Sequence, residues 1–336
     1  MEEEAAAIAV CRPRAAALVV ADRVRVTRTD TGVALSRQHQ PNPSDPPVQR
    51  IRLRYAKRGR VRFTSHRDVA RTFERALRRA GVPMAYSQGF SPHPRVSWVG
   101  AAPTGVASEA EYVEIALVRP VDPGPLRQAL DAALPPGLDV LETVVAGPGT
   151  LAEKIDASRW WIELPGVAPD TLADAVTRLM AAERVEVERL TKNGRRTMDA
   201  RAAIVTTEGI DPTTVGEQAC PPPTAQVADW PEHAAPCGIL VAVVRQTQPV
   251  VRPDDVLSAL RVVAGLVPPV PAMATRMAQG RLDDRGDLAD PLAADRAASP
   301  EPAPAGADAP EPRQEREATG AGEQGPGPNV VAGPAG

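Results

Sequence analysis

The sequence predicts an α+β fold of two tandem ferredoxin-like units, each with the element order βαββαβ, flanked by disordered tails. First, its 336 residues suffice for two domains of ordinary size. Second, residues 48 to 289 contain two similar series of short runs in which apolar and polar residues alternate, with helix-like segments between them. Such alternating runs predict strands. Third, only 3% of the residues are aromatic and 37 are proline, which indicates long stretches without a packed core.

Both ends of the chain are predicted to lie outside the folded part. Residues 1–47 mix Ala, Val and Arg without a sustained period and end in HQPNPSDPP, which is typical of a linker. Residues 290–336 contain 9 Pro, 7 Gly and 12 Ala among 47 positions, and no aromatic residue. Such a segment buries too little apolar area to offset its chain entropy, so we expect a disordered tail.

The first unit is predicted over residues 48–148. RIRLRYA alternates the apolar Ile51, Leu53 and Tyr55 with arginines, as a strand with one buried face does. Residues 65–80 predict a helix that Ser65 would cap. The remaining elements are the strand RVSWVG, the strand EYVEIALV over 111–118, the helix PGPLRQALDAAL and the closing strand LDVLETVVAG.

The second unit is predicted over residues 155–289. It begins with the strand SRWWIELPG and a helix over about 169–182. Two alternating runs then flank Asn193-Gly194, a dipeptide that favours the positive φ angles of a type I′ hairpin turn, and they add one strand to the βαββαβ order. The remaining features are a proline-rich insert over 206–236, the strand CGILVAVV, a helix from Pro253 to about Ala264 and a last strand near 271–277.

The charge of the chain is distributed unevenly. The net charge is −3, yet the residues from Arg50 to Arg79 include 12 Lys or Arg and only two acids, Asp68 and Glu74. Such a concentration of positive charge attracts polyanions whatever the overall balance.

The predicted helix at 65–80 separates its charged and apolar residues. At about 100° per residue, its apolar side chains fall on one face and four arginines on the other, which we call the arginine rail: Arg67, Arg71, Arg75 and Arg78. A polyanion, an acidic protein partner and a merely solvated surface are all compatible with this face. The near absence of acids favours the polyanion, because solvated faces usually mix both signs of charge.

Further candidates for nucleic-acid contact lie on the first predicted strands and before the helix. Arg52 and Arg54 are expected to project from the sheet face that the helices leave open, where Tyr112 could stack on a base, although an exposed tyrosine in a strand is commonplace. Arg60 and Arg62 precede the helix and add positive charge.

The loop SQGFSPHP, residues 87–94, combines one glycine and two prolines with Phe90 and His93, and Arg95 follows it. We expect a rigid loop whose side chains contact a ligand, although Phe90 could instead fill the core beneath it. His93, and His66 at the start of the helix, could donate to phosphate or act as general acid–base groups. His66 could equally be a capping or packing residue.

Several classes of site are not expected. The three cysteines, at 11, 220 and 237, exclude a disulfide scaffold and a clustered iron–sulfur motif. The two histidines have no Asp, Glu or Cys at ligand spacing, so neither a metal nor another cofactor is predicted. No apolar run approaches 18 residues and the chain begins MEEE, which predicts a soluble cytoplasmic protein without a membrane partner.

The motifs resemble a known family. KRGRVRFTSHRDVARTFERALRRAGVPMAYSQGFSPHPRVSW and TGVASEAEYVEIAL are similar, over 48–145, to the radical SAM-linked bacterial domain of unknown function in its stand-alone form. TKNGRRTMDARAAI, which includes Asp199, resembles the basic hairpin of that family more faintly. Arg67 departs from the family pattern, which usually has an apolar residue there. The resemblance implies a separate radical SAM iron–sulfur enzyme as a partner.

Together these features predict a non-catalytic RNA-binding module that acts with a separate radical SAM enzyme. Two alternatives remain open. One is a metal-independent endoribonuclease or RNA-modifying enzyme using His66 or His93, with Arg62 or Arg95 stabilising the transition state. The other is a protein–protein adaptor for the radical SAM partner.

Overall fold

The computed structural model describes residues 45–191, 194–210 and 236–298. Most of the described residues belong to one compact unit, and the short segment 88–92 is assigned to another. Within these residues, one mostly antiparallel sheet has nine strands and a second sheet has two, accompanied by five α-helices. The predicted α+β class is therefore confirmed.

The first half of the large sheet is built from four strands and two helices. Strand β1 lies between β4 and β3, β2 pairs with the other edge of β3, and all of these pairs are antiparallel. The elements are β1 (Gln49–Lys57), α1 (His66–Arg79), β2 (Val96–Val99), β3 (Ala107–Leu117), α2 (Pro123–Ala133) and β4 (Leu138–Val145).

The second half of the large sheet has the antiparallel order β10-β5-β9-β8, with the short β11 beside β10. Strands β6 and β7 pair as the predicted hairpin but form their own two-stranded sheet. The elements are β5 (Ala157–Pro165), α3 (Pro169–Ala181), β6 (Glu186–Thr191), β7 (Gly194–Asp199), β8 (Ile204–Ile210), β9 (Cys237–Arg245), α4 (Pro253–Ala264), β10 (Met273–Leu282), β11 (Leu288–Ala289) and α5 (Ala293–Ala298).

One sequence expectation for this region differs from the structure, and others concern residues that the structure does not describe. The insert was expected to begin at residue 206, but β8 continues to Ile210 because it pairs with β9 along its length. Asn193, and residues 211–235 of the insert, lie outside the described residues.

The two halves join through a short parallel pairing of β3 with β10. Thr275 lies opposite Ala107 and Arg276 opposite Ser108, while β2 occupies the next part of the same β3 edge, opposite residues 112–115. This junction brings Arg276 of the second half beside residues of the first.

Each half packs two helices on one sheet face, α1 and α2 in the first half and α3 and α4 in the second. In the first half, Leu53 and Tyr55 of β1 pack with Phe73 and Leu77 of α1 and with Leu130 of α2. In the second half, the corresponding apolar cluster is formed by residues that include Trp160, Ile162, Leu172, Leu179 and Leu260. Burial of these side chains is the main stabilising contribution to such a fold.

The other face of the first half is partly covered as well. Leu292 and Asp295, at the C-terminal end of the described chain, are buried there, and Leu292 packs with Tyr112 and Val144. The sequence assigns all residues from 290 onward to a disordered tail, which is wrong for residues 290–298. Composition describes the tail on average, whereas one leucine and one aspartate are enough to anchor α5.

No helix within the described ranges combines the length and the apolar character that crossing a membrane requires.

Candidate nucleic-acid interface

Helix α1 is oriented by its N-terminal cap and its apolar face. Ser65 Oγ accepts a hydrogen bond from the Asp68 N–H at 3.3 Å and donates one to Asp68 Oδ2 at 2.7 Å. Val69, Phe73 and Leu77 are buried against the sheet. This packing leaves the opposite side of the helix, which includes the arginine rail, directed away from the core.

All four arginines of the rail are exposed, and Arg79 extends the positive surface. Arg71 lies 3.7 Å from Asp68, but both side chains are more than half exposed, so this pair contributes at most about 1 kcal/mol. Within the described part of the chain, no carboxylate lies within ion-pair distance of Arg67, Arg75 or Arg78. The rail therefore keeps most of its positive charge.

The arginines of β1 are neutralised by acids from distant parts of the sequence. Arg52 donates to Glu114 Oε2 at 2.8 Å and to Asp295 Oδ2 at 2.6 Å, and its side chain is 0% exposed. Arg54 is partly buried, with its Nε 3.7 Å from Glu142 Oε2. The prediction that Arg52 and Arg54 project from an open sheet face is therefore wrong for Arg52, and Arg54 is only partly accessible.

Tyr112 was also expected on an open face, and this expectation is wrong. Its side chain is 4% exposed and packs with Ala110, Val144 and Leu292. Burial raises the pKa of the phenol.

An exposed aromatic side chain does lie next to the start of the rail. Phe63 is 59% exposed, and the guanidinium of Arg62 lies 4.7 Å from the centre of its ring. Partial burial lowers the pKa of Arg62. Phe63 is not among the residues predicted from the sequence, although its place directly after Arg62 and two residues before the helix cap Ser65 was a usable signal.

The histidines occupy different surroundings. The edge of Trp98 meets the His66 ring, with 5.3 Å between the ring centres. His93 is exposed, and its backbone N–H donates to Ser87 Oγ at 3.0 Å. Within the described residues, neither imidazole has a hydrogen-bond partner that would orient it for acid–base chemistry, and no group of three or more His, Cys, Asp or Glu is placed to hold a metal ion.

The remaining residues predicted to contact nucleic acid lie in the loop after α1 and in the turn before it. The Arg95 backbone N–H donates to the Ala85 carbonyl at 2.8 Å, while its side chain is exposed. Phe90 belongs to the segment 88–92 and is 90% exposed. Arg60, in the turn before α1, is exposed as well.

Asp199, in the predicted basic hairpin, has a structural role. Its Oδ1 accepts hydrogen bonds from the Val185 and Arg201 N–H groups, each at 3.1 Å. The hairpin exposes Arg195 and Arg196, and Arg195 lies 3.4 Å from Glu188. Its positive charge is therefore partly balanced within the hairpin.

Comparison with known proteins relates the chain to a bacterial family. A sequence model described as an uncharacterized protein conserved in bacteria (DUF2344) matches residues 50–253, which is more than half of the chain. A comparison with the curated proteins finds no match. The matched segment includes α1 with its arginine rail, the strands β3 and β9, and the hairpin. The chain therefore belongs to the DUF2344 family of uncharacterized proteins conserved in bacteria.

Proposed function

We propose that this protein is a non-catalytic RNA-binding module that acts in the cytoplasm with a separate radical SAM enzyme. The observation that carries this proposal is the exposure of the arginine rail, in which Arg67, Arg75 and Arg78 have no carboxylate of the described residues within ion-pair distance. The radical SAM partner rests on the resemblance of the sequence motifs alone.

We further infer that each half of the sheet is a ferredoxin-like unit, as the sequence predicts. The antiparallel orders β4-β1-β3-β2 and β10-β5-β9-β8 support this inference, because both are the order of a βαββαβ unit. In the second half, the β6–β7 hairpin then lies between α3 and β8 as an insertion.

The rail offers a suitable geometry for a phosphate backbone. From Arg67 to Arg78 it extends about 16 Å along the helix axis at about 1.5 Å per residue. Guanidinium groups bind phosphate through two parallel hydrogen bonds, so each arginine can engage one phosphate.

Phe63 favours RNA over an acidic protein surface as the partner of this face. An exposed aromatic ring beside cations is the arrangement on which single-stranded bases stack, and such stacking contributes about 1–3 kcal/mol per base. An acidic protein would use the cations but would gain little from the ring. Because Tyr112 and Arg52 are buried, the proposed surface comprises the rail with Arg60, Arg62 and Phe63.

A titration of labelled RNA at several salt concentrations tests the proposal. With four phosphates contacted at a slope of about −0.7 each, affinity for a single-stranded oligouridylate should fall about 100-fold between about 50 and 300 mM salt. Reversing two charges of the rail, Arg71→Glu with Arg75→Glu, should abolish most of the binding.

A matched control reverses two exposed helix arginines of the second half, Arg178→Glu with Arg261→Glu, and should leave the RNA affinity within about 2-fold. Equal affinity of wild type and the rail variant would contradict the proposal. Binding of polyglutamate as tight as binding of RNA would indicate an acidic protein partner, and hence the adaptor function, instead.

A further inference from the structure

A cavity of about 260 Å³ lies in the second half of the large sheet and is not used by the proposed RNA surface. Ser158 and Trp160 of β5 and Arg276 and Gln279 of β10 line it from the sheet. The segment after β2, which begins with Gly100, and the segment leading into α4 form its walls. The cavity is slightly smaller than ordinary ligand pockets, so a small ligand would fill it.

Arg276 supplies a buried positive charge at this cavity. Only 5% of the residue is exposed. Its Nη1 donates to the Gly100 carbonyl and, at 3.2 Å, to Glu111 Oε1, and its guanidinium lies 4.8 Å from the centre of the Trp160 ring. Its Nε has no hydrogen-bond partner within the described chain. This Nε is covered by protein atoms, so a ligand in the cavity would meet the positive charge of the guanidinium but not this N–H.

Gln279 adds a second incompletely bonded group. The residue is 2% exposed, and its Nε2 donates to the Ala110 carbonyl at 2.5 Å. Its Oε1 accepts no hydrogen bond from the described residues. A Cβ atom at Gly100 would lie 2.7 Å from this oxygen, so the glycine allows the backbone to approach the amide closely. Because this oxygen is covered by protein atoms, the Gln279 amide shapes the wall of the cavity and does not itself contact a ligand there.

The charges around the cavity favour an anion. Among the described residues that line it, none is acidic, while Arg245 and Arg252 are exposed at its margin. Glu111 offsets part of the Arg276 charge, but the ammonium of Lys57, also buried, adds a second cation nearby. The remaining lining is largely apolar and includes Trp160 and three valines.

We propose that this cavity binds a small organic anion with a planar apolar body. Its carboxylate or phosphate oxygens accept hydrogen bonds from the exposed guanidinium groups of Arg252 or Arg245 and are attracted by the buried positive charge of Arg276. The planar part packs against the valines and the indole of Trp160. This site is independent of the arginine rail.

Calorimetric titration of the full chain with three probes tests the site: benzoate, inorganic phosphate and uridine 5′-monophosphate. We expect one molecule of benzoate or of the nucleotide to bind per chain. Arg245→Ala and Arg252→Ala remove exposed side chains and should leave folding intact. At least one of these two substitutions should weaken binding about 10-fold, because it removes a hydrogen bond from a charged group.

Two controls separate this site from the RNA surface. Arg178→Ala, away from the cavity, should bind the organic probes as wild type does. The rail variant Arg71→Glu with Arg75→Glu should also bind them normally, so the two proposals can fail independently. The proposal is overturned if neither organic probe binds with a Kd below about 1 mM. It is also overturned if phosphate alone binds, or if both margin variants bind like wild type.

Discussion

Removing the carboxylate of Asp295 should destabilise the folded protein strongly. The variant Asp295→Ala loses the bond from Arg52 Nη1 to Oδ2 at 2.6 Å and the bonds to Oδ1 from Lys154 Nζ at 3.0 Å and from the Gly147 N–H at 3.1 Å. The Arg52 guanidinium, 0% exposed, would remain buried with one carboxylate, Glu114, instead of two. Breaking a buried ion pair by removing one partner costs about 3–5 kcal/mol. Because Glu114 remains, we expect the lower end of this range.

Urea unfolding followed by circular dichroism measures this loss as a change in the free energy of unfolding. The control is Asp287→Ala, which breaks an exposed pair with Arg159 at 3.3 Å and should cost less than about 1 kcal/mol. Equal effects of the two substitutions would refute the reasoning, because α5 would then contribute no more than a surface contact.

The pH dependence provides a second measurement of the same interaction. Burial by itself would raise the pKa of Asp295, but hydrogen bonds from Arg52 and Lys154 outweigh it and lower the pKa. The pKa of an aspartate in the unfolded chain is about 3.9. The stabilisation is therefore present above that pH and is lost as the pH falls through the lower pKa of Asp295 in the folded state. Wild type should therefore lose more stability than Asp295→Asn when the pH decreases below about 4.

Three further predictions concern the RNA surface, the histidines and a turn. Phe63→Ala should weaken oligouridylate binding about 5-fold or more in a fluorescence titration without lowering the melting temperature; unchanged affinity would remove the stacking argument. If the endoribonuclease alternative holds, purified protein should cleave labelled RNA, and His66→Ala or His93→Ala should slow cleavage at least about 100-fold; cleavage unaffected by both would exclude these residues as the acid–base groups. Gly137→Ala, at φ +91° with a Cβ 2.8 Å from the Arg58 carbonyl, should cost about 1–3 kcal/mol. Gly81→Ala, at φ +65° but with open space around its Cβ, should cost less in the same unfolding assay.

Much of the secondary structure follows from local sequence signals. The residues around Ser65 predict the start of α1, and Pro253 and Gly265 bracket α4 as the structure has it. The arginine rail is predictable for the same reason, because helical periodicity alone decides which side chains share a face. Its exposure then follows from the apolar residues on the opposite face.

The environment of a strand face depends on tertiary structure. Alternation correctly predicts that Arg52 points away from α1 and α2, but only the fold decides that Asp295 of α5, 243 residues later, covers it. Tyr112 is buried by the same segment.

The cavity at Arg276 likewise depends on elements far apart in the chain. Its polar groups come from β5, β10 and the segment after β2, which the junction of β3 with β10 brings together. The sequence by itself determined helices α1 to α4, most of the strands and the charged face of α1, because these depend on neighbours within a few residues. Only the tertiary structure decided which arginines remain free, because an ion pair requires its two partners to meet in space.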